Sequence, residues 1–345
     1  MPSGALPRKR ALTTIHDVAD AAGVSIGTVS KALRGQGQLR EETRERVRVV
    51  AERLRFRPNE LAQSLHRKKS FTVGLLSNDS YGRFSIPLLE GIQEALANAG
   101  MSVFLCNAFD DPLRERQHID SLLSKRVDGV IVTSRRTDPR PAVDLGSAGV
   151  PVLYAFTRVD DPEALGLVPD DFGGARLAVE HLIGLGRRKI AHVTGPERFE
   201  SARLRRKGYE AALAARGIAP RADRILMGSW SELWGHEAVA RLLAQARDFE
   251  AIFCGSDQIA RGVVDALRER GVSVPGEVAI VGYDNWEIVA AATRPALTTV
   301  DMNLRELGCE AGALLLALID GRHETGTRRI PCSLIVRESC GARRV

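Results

Sequence analysis

Residues 13–34 read TTIHDVADAAGVSIGTVSKALR, and their spacing predicts two short helices joined by a tight turn. Ala19 is small where the second helix must cross the first. Gly23 sits in the turn, where a residue without Cβ accepts a positive φ. Val29 faces back into the angle between the helices, and Ile15, Val18, Ala22, Val24 and Leu33 supply the other apolar contacts. Thr14 is placed to cap the first helix, with Asp17 three residues on, and Ser25 to cap the second. This pattern is a helix-turn-helix, a unit that lays its second helix in the major groove of DNA.

The surrounding residues extend the motif into a small helical domain over 13–57. A third helix is expected at about 41–55, EETRERVRVVAERLR, with Val47, Val50, Ala51 and Leu54 on one stripe and Phe56 closing the core. Residues 1–12, rich in Pro, Gly and Arg, have no periodic pattern and read as a disordered arm. Residues 58–69 read as a linker: Pro58 stops the preceding helix, Asn59 is placed to cap a new one, and the segment is too short to be a stable helix alone. Residues 1–69 hold 15 Lys and Arg against 7 Asp and Glu, a charge of +8, whereas the remainder holds 34 against 36. The basicity therefore sits on the helical segment, as phosphate contacts require.

From Phe71 the pattern changes. Eleven short apolar stretches, among them FTVGLL (71–76), GVIVTS (129–134), KIAHVTG (189–195) and VAIVGYD (278–284), alternate with amphipathic helices at about 86–99, 112–125, 174–186, 201–216, 231–247, 257–271 and 303–320. Such alternation predicts parallel sheets covered on both faces. Eleven strands exceed a comfortable open sheet, so two α/β lobes are expected, with a ligand cleft at the strand carboxyl ends.

Several function classes are disfavoured. No strand leads into a phosphate-cradling glycine loop. The five cysteines are odd in number and without zinc-ligand spacing, and the seven histidines are scattered and form no nucleophile motif, so neither an enzyme nor a metal or other cofactor is expected. No run of 18 apolar residues suggests a membrane span. The basic start lacks the apolar stretch of a signal peptide, so a cytoplasmic protein is expected.

Longer patterns carry a family likeness. HDVADAAGVSIGTVSKALRG (16–35), ETRERVRVVAERLRFRPNELAQSL (42–65), DFGGARLAVEHLIGLGRRKIAHVTG (171–195), SARLRRKGYEAAL (201–213), CGSDQIARGVVDALRERGVSVPGEVAIVGYDN (254–285) and RPALTTVDMN (294–303) follow in order. Together they resemble the lactose-repressor (LacI/GalR) family of bacterial transcription regulators. The resemblance implies an N-terminal helix-turn-helix headpiece and an α/β two-lobed body like a periplasmic sugar-binding protein, its lobes joined by three crossovers. On that reading lobe 1 covers about 70–165 and 298–325, and lobe 2 about 166–297 and 326–345. The implied partners are a pseudo-palindromic double-stranded DNA operator, a small-molecule effector expected to be a sugar or sugar derivative, and a second copy of the chain. A regulator without an effector, on a vestigial sugar-binding fold, is the alternative.

The resemblance also assigns residues. Ile26, Gly27 and Lys31 hold the specificity-reading positions of the second helix. Ile26 can touch a thymine methyl, Gly27 reads nothing directly, and Lys31 can donate to guanine. Ser25, Thr28 and Ser30 are expected on phosphates, and Thr14 is counted with the DNA-contacting residues. In the linker, NELAQSL becomes a minor-groove hinge helix that includes Asn59, with Leu65 as the wedge between base pairs and Ala62 small enough to let it enter. For the effector, Arg205, Asp284 and Ser256 carry over best. Asp257 is expected to cap a helix, and Asp171 either to cap a helix or to touch ligand. Trp230 is a stacking platform or a core residue, and Trp234 is core. Asn78 and Phe84, with Asp79 and Tyr81, are candidates for the first-lobe wall, although SNDSYGRFSIP (77–87) departs from the family's common Asn-Pro-Phe pattern.

Overall fold

In the computed structural model the described residues are 13–33, 35, 37–56, 69–245 and 248–342. They fall into two compact units, divided between Ser70 and Phe71. The expected hinge residues Asn59, Ala62 and Leu65, and the arm 1–12, lie outside the described residues.

The first unit contains α1 (Ile15–Ala22), α2 (Ile26–Leu33) and α3 (Glu41–Arg53). Thr14 and Asp17 form a reciprocal capping box at the start of α1, and Gly23 ends it at φ 64°. Val18, Ala19, Val29, Ala32 and Val47 are fully or nearly fully buried where the three helices meet. Phe56 packs partly buried against them. The third helix stops two residues short of the expected end, because Arg55 adopts φ 51°.

The second unit contains two six-stranded sheets. The first joins β1 (Thr72–Ser77), β2 (Ser102–Asn107), β3 (Gly129–Thr133), β5 (Val152–Ala155), β7 (Leu165–Pro169) and β13 (Gly326–Ile330), in the order β13-β7-β5-β3-β1-β2. All its pairings are parallel. The second joins β8 (Ile190–Thr194), β9 (Ile225–Met227), β10 (Ala251–Cys254), β11 (Ala279–Tyr283), β12 (Thr298–Asp301) and β14 (Ser333–Ile335), in the order β14-β12-β11-β10-β8-β9. Only its edge strand β14 runs antiparallel. The two-residue strands β4 (Pro139–Arg140) and β6 (Arg158–Val159) pair separately.

Helices cover both sheets. Against the first pack α4 (Ser85–Ala97), α5 (Pro112–Ser124) and α11 (Leu304–Ile319); against the second pack α6 (Asp171–Gly184), α7 (Glu200–Ala214), α8 (Glu232–Gln245) and α9 (Asp257–Glu269), with the short α10 (Glu287–Ala290) beside α9. Glycine permits the closest helix approach: a Cβ on Gly91 of α4 would stand 1.9 Å from the Arg305 carbonyl of α11.

The lobe boundaries differ from the expected ones. Residues 165–169 and 326–330 belong to the first sheet, and 298–301 to the second. Each crossover follows the carboxyl end of a strand instead of preceding one. The chain crosses at Asp170, at Met302–Asn303 and at Pro331–Cys332. These crossings bond to one another: Asn303 donates from Nδ2 to the Pro331 carbonyl at 2.9 Å, and Asp170 N donates to the Ile330 carbonyl at 2.8 Å.

Candidate functional site

Two sites are built by these units. In the first, Ser25 caps α2 by accepting from the Thr28 amide at 3.2 Å, and its hydroxyl meets the Thr28 hydroxyl at 2.9 Å. That cap leaves the first turn of α2 on the surface. Ile26 is 40% exposed, a Cβ on Gly27 would meet only the Ser25 hydroxyl, at 3.8 Å, and Lys31 is exposed one turn on. Thr28 and Ser30 are half-buried beside them, and Thr14 is exposed at the start of α1. Val29 and Ala32, on the opposite face, are fully buried. The helix thus presents one short outward row and anchors itself by the other.

The second site is a cavity of about 380 Å³ at the carboxyl ends of the strands, with walls from both lobes. Phe84, Arg205, Trp230, Ser256 and Asp284 all line it. Its floor is a chain of ion pairs. Arg205, from α7, donates from Nε to Asp171 Oδ1 at 2.8 Å and from Nη1 to the Gly255 carbonyl at 2.5 Å, and stands 3.5 Å from Asp284. Its guanidinium lies 3.7 Å from the centre of the Tyr283 ring. Burial opposes the charge of Arg205, but Asp171, Tyr283 and Asp284 outweigh it and raise its pKa. Asp284 also pairs with Arg83, which donates to Gln258 Oε1 at 3.0 Å and lies between the rings of Phe84 and Trp286. Burial raises the Asp284 pKa against the pull of the two arginines.

Trp230 reaches the cavity because Gly195 has no side chain: a Cβ there would stand 2.1 Å from the indole. It is partly buried, packed on the second-lobe core, and lines the cavity. Trp234 is core, its indole donating to the Thr194 carbonyl at 2.9 Å. Phe84 stacks on Phe156 with ring centres 4.7 Å apart.

Three expectations need correction. Asn78 does not line the cavity; it opens on a separate first-lobe pocket with Asp110, Glu115 and Arg140. Asp79 and Tyr81 do line the cavity, and Asp79 also turns the chain, its carboxylate accepting from the Phe84 amide at 2.8 Å and the Ser85 amide at 3.0 Å. Asp171 is not the cap of α6. Asp170 caps it through the Gly173 amide, and Asp171 is buried against Arg205. Ser256, not Asp257, caps α9. Asp257 is fully buried and accepts from Thr299 Oγ1 at 2.6 Å and the Trp286 amide at 2.7 Å; burial and the nearby Asp284 push its pKa up to about 8.

Residues 14–59 match the model of the bacterial regulatory proteins of the lacI family, and residues 179–340 that of the periplasmic binding protein-like domain. Catabolite control protein A of Priestia megaterium is 33% identical over 305 residues, covering 88% of this chain and 91% of that protein. The chain belongs to the lacI family of bacterial regulatory proteins. Among solved structures, the lac repressor dimer bound to operator and the anti-inducer ONPF is 30% identical with a TM-score of 0.79, covering 96% of this chain and all of that one. The regulator CelR in complex with cellobiose is 29% identical with a TM-score of 0.67, covering 95% and 99%.

This lacI-family chain is therefore a DNA-binding transcriptional regulator, with a helix-turn-helix followed by a periplasmic-binding-protein-like body. No helix among the described residues is long and apolar enough to cross a membrane. Cavity residues that the sequence did not single out include Arg83, Arg136, Thr137, Phe156, Phe199 and Gln258. One signal that could have found Trp286 is compositional: the chain is only 5% aromatic with three tryptophans, and two of them, Trp230 and Trp286, line this cavity.

Proposed function

We propose that this regulator is a homodimeric repressor whose operator affinity is set by a small carbohydrate-like effector held between the lobes. The observation that carries the reading is the cavity floor of Arg205, Asp284 and Arg83, walled by Phe84, Phe156, Trp230 and Trp286. Carboxylates and guanidiniums orient hydroxyl groups, and aromatic faces cover the C–H surface of a sugar ring. The solved relatives are consistent with this, one being a complex with cellobiose and another a complex with operator and an anti-inducer. DNA reading falls to Ile26 and Lys31 on α2, with Ser25, Thr28, Ser30 and Thr14 on phosphates. Leu65, Ala62 and Asn59 are assigned to a hinge in the minor groove on the family resemblance alone.

Dimerisation is supported by the edge strand β2. Its Phe104 and Leu105 are 48% and 43% exposed, and the nearby Leu113 is 77% exposed. An uncovered apolar edge of this kind favours burial against a second copy. A dimer brings two reading helices to two half-sites, which offsets the poverty of hydrogen-bonding groups at Ile26 and Gly27.

The test is selection of duplexes from a randomised pool by the full chain, followed by titration of the selected duplex with carbohydrates by fluorescence anisotropy. The expected result is a two-fold-related motif and an affinity changed by roughly 5-fold to 150-fold by at least one carbohydrate. Binding that ignores sequence would overturn the operator claim. Affinity unmoved by every carbohydrate would leave the effector-free alternative standing.

A further inference from the structure

The effector reading leaves open what class of small molecule the cavity takes, and the charges on its walls bear on this. Four arginines and two aspartates line the cavity: Arg83, Arg135, Arg136 and Arg205 against Asp79 and Asp284. Both carboxylates are already in use. Asp79 accepts from three backbone amides and the Ser85 hydroxyl. Asp284 lies between Arg83 and Arg205, and Arg205 is further neutralised by Asp171. Of the remaining two arginines, Arg135 is paired with Asp110 at 2.7 Å.

Arg136 is different. It has no hydrogen bond or ion pair with any described residue, and its guanidinium rests 4.6 Å from the centre of the Phe199 ring. Arg198 occupies the same ring at 4.5 Å and likewise has no carboxylate partner among the described residues. The nearest acid in sequence, Asp138, accepts from the Glu200 amide through Oδ1 at 2.8 Å and makes no ion pair with Arg136, although its charge supports that of the arginine. Partial burial, and then the charge of Arg135, lower the Arg136 pKa, and the charges of Asp110 and Asp138 oppose this.

The neighbouring residue is a second observation of the same kind. Thr137 lines the cavity, is only 5% exposed, and its hydroxyl has no partner. The Nε of Arg83, on the same cavity, is also buried without a partner. Of these two unpartnered groups, the Arg83 Nε–H can only donate and the Thr137 hydroxyl can donate as well as accept. A neutral polyol meets donors with hydroxyls but leaves the guanidinium charge uncompensated. A carboxylate or phosphoryl group is an acceptor on every oxygen and matches the planar fork of an arginine.

We propose that the effector is an anionic carbohydrate, a sugar acid or a sugar phosphate, whose charged group is held by Arg136 and Thr137 in the loop after β3. The proposal rests on the reading of this cavity as the effector site, and deepens it. Arg205 and Asp284 then orient the hydroxyls, and Phe84, Phe156 and Trp230 cover the ring.

The experiment is calorimetric titration of the full-length chain with matched sets: glucose, gluconate, glucuronate and glucose 6-phosphate; galactose and galacturonate; ribose and ribose 5-phosphate. At least one charged member should bind about tenfold or more tightly than its neutral counterpart, and its affinity should fall as salt is raised. The carboxylate and phosphate arms distinguish the two sources of charge. Arg136→Gln should weaken the charged ligand by about 10-fold to 100-fold and erase its advantage over the neutral one, and Arg136→Lys should recover part of it. Neutral sugars that bind as tightly as their acids and phosphates, or an advantage unchanged in Arg136→Gln, would overturn the proposal while leaving the effector site intact. Failure of every carbohydrate, neutral or charged, would overturn both.

Discussion

Replacing Arg205 by Met asks how much of the inter-lobe floor is structural. Methionine keeps an unbranched side chain of similar reach and removes the guanidinium. In the wild type, Arg205 is 5% exposed and contacts two buried carboxylates, Asp171 at 2.8 Å and Asp284 at 3.5 Å, and the Gly255 carbonyl at 2.5 Å. Asp284 retains Arg83 after the substitution, but no other ion pair of Asp171 is formed among the described residues. Breaking a buried pair from one side strands the other charge and costs about 3–5 kcal/mol, whereas replacing both partners by apolar groups is often close to neutral. Arg205→Met should therefore lose about 3–5 kcal/mol, and the double variant Arg205→Met/Asp171→Leu should lose less than the two single losses added, with a coupling of about 1–3 kcal/mol. Urea unfolding followed by tryptophan fluorescence reads the relevant unit, because Trp230, Trp234 and Trp286 all lie beyond residue 70. With a slope near 3 kcal/mol per molar, the single variant should move the midpoint down by roughly 1 M or more. A shift under about 0.3 M, or losses that simply add, would show that Arg205 is held ready for ligand at little structural cost.

Two further outcomes follow from particular residues. Thr14→Ala removes the hydroxyl that accepts from the Asp17 amide, and should cost about 1 kcal/mol of local stability in α1. Hydrogen exchange on the full chain should then show amides of residues 15–22 losing about fivefold in protection, and unchanged protection would mean that packing alone holds the helix. His192 is fully buried, and burial lowers its pKa to about 4 from an ordinary 6.5. The unfolded chain takes up this proton at a higher pH than the folded one. The stability it supports is complete above pH 6.5, falls as pH drops from 6.5 to about 4, and totals about 3 kcal/mol. His192→Phe keeps a ring between Tyr209 and Phe253 and does not titrate. Its stability should fall less steeply than wild type across that window, and identical slopes would refute the assignment.

The parts of the fold that were legible are those where burial leaves its mark on residue type. GVIVT and AIVGY are fully buried strands and read as such, and the helix-turn-helix was fixed by Ala19, Gly23 and Val29. Strand β13 was missed because GTRRI lies at a sheet edge with three successive exposed residues, so its arginines disguise it. That omission also displaced the lobe boundaries. The site was harder, because adjacent residues of one chemistry take different roles. In Asp170-Asp171 the first caps a helix and the second holds an arginine, and nothing in the pair itself says which. Arg83 was invisible for another reason: its partner Asp284 is 201 residues away, and only the meeting of the lobes joins them.

That meeting has a consequence for control. Arg83 precedes α4 of the first lobe, while Asp284, Gln258 and Trp286 belong to the second, so the arginine is a bond between lobes as well as a wall of the cavity. Asp284 is held for it at φ 106°, a conformation that a residue with Cβ adopts only when its surroundings enforce it. Here they do: the Asp284 amide donates to the Val300 carbonyl at 2.8 Å, and Asn285 is fixed by Asp301 and Arg337. An effector that takes an oxygen of Asp284 competes with Arg83 for it, and one that leaves the pair intact adds its own contacts across the same gap. The first kind disfavours the arrangement in which the lobes are tied through Arg83, and the second favours it. Only the difference in affinity between lobe arrangements can shift their populations. The sign of the response to a ligand is therefore decided by whether the Arg83–Asp284 pair survives its binding.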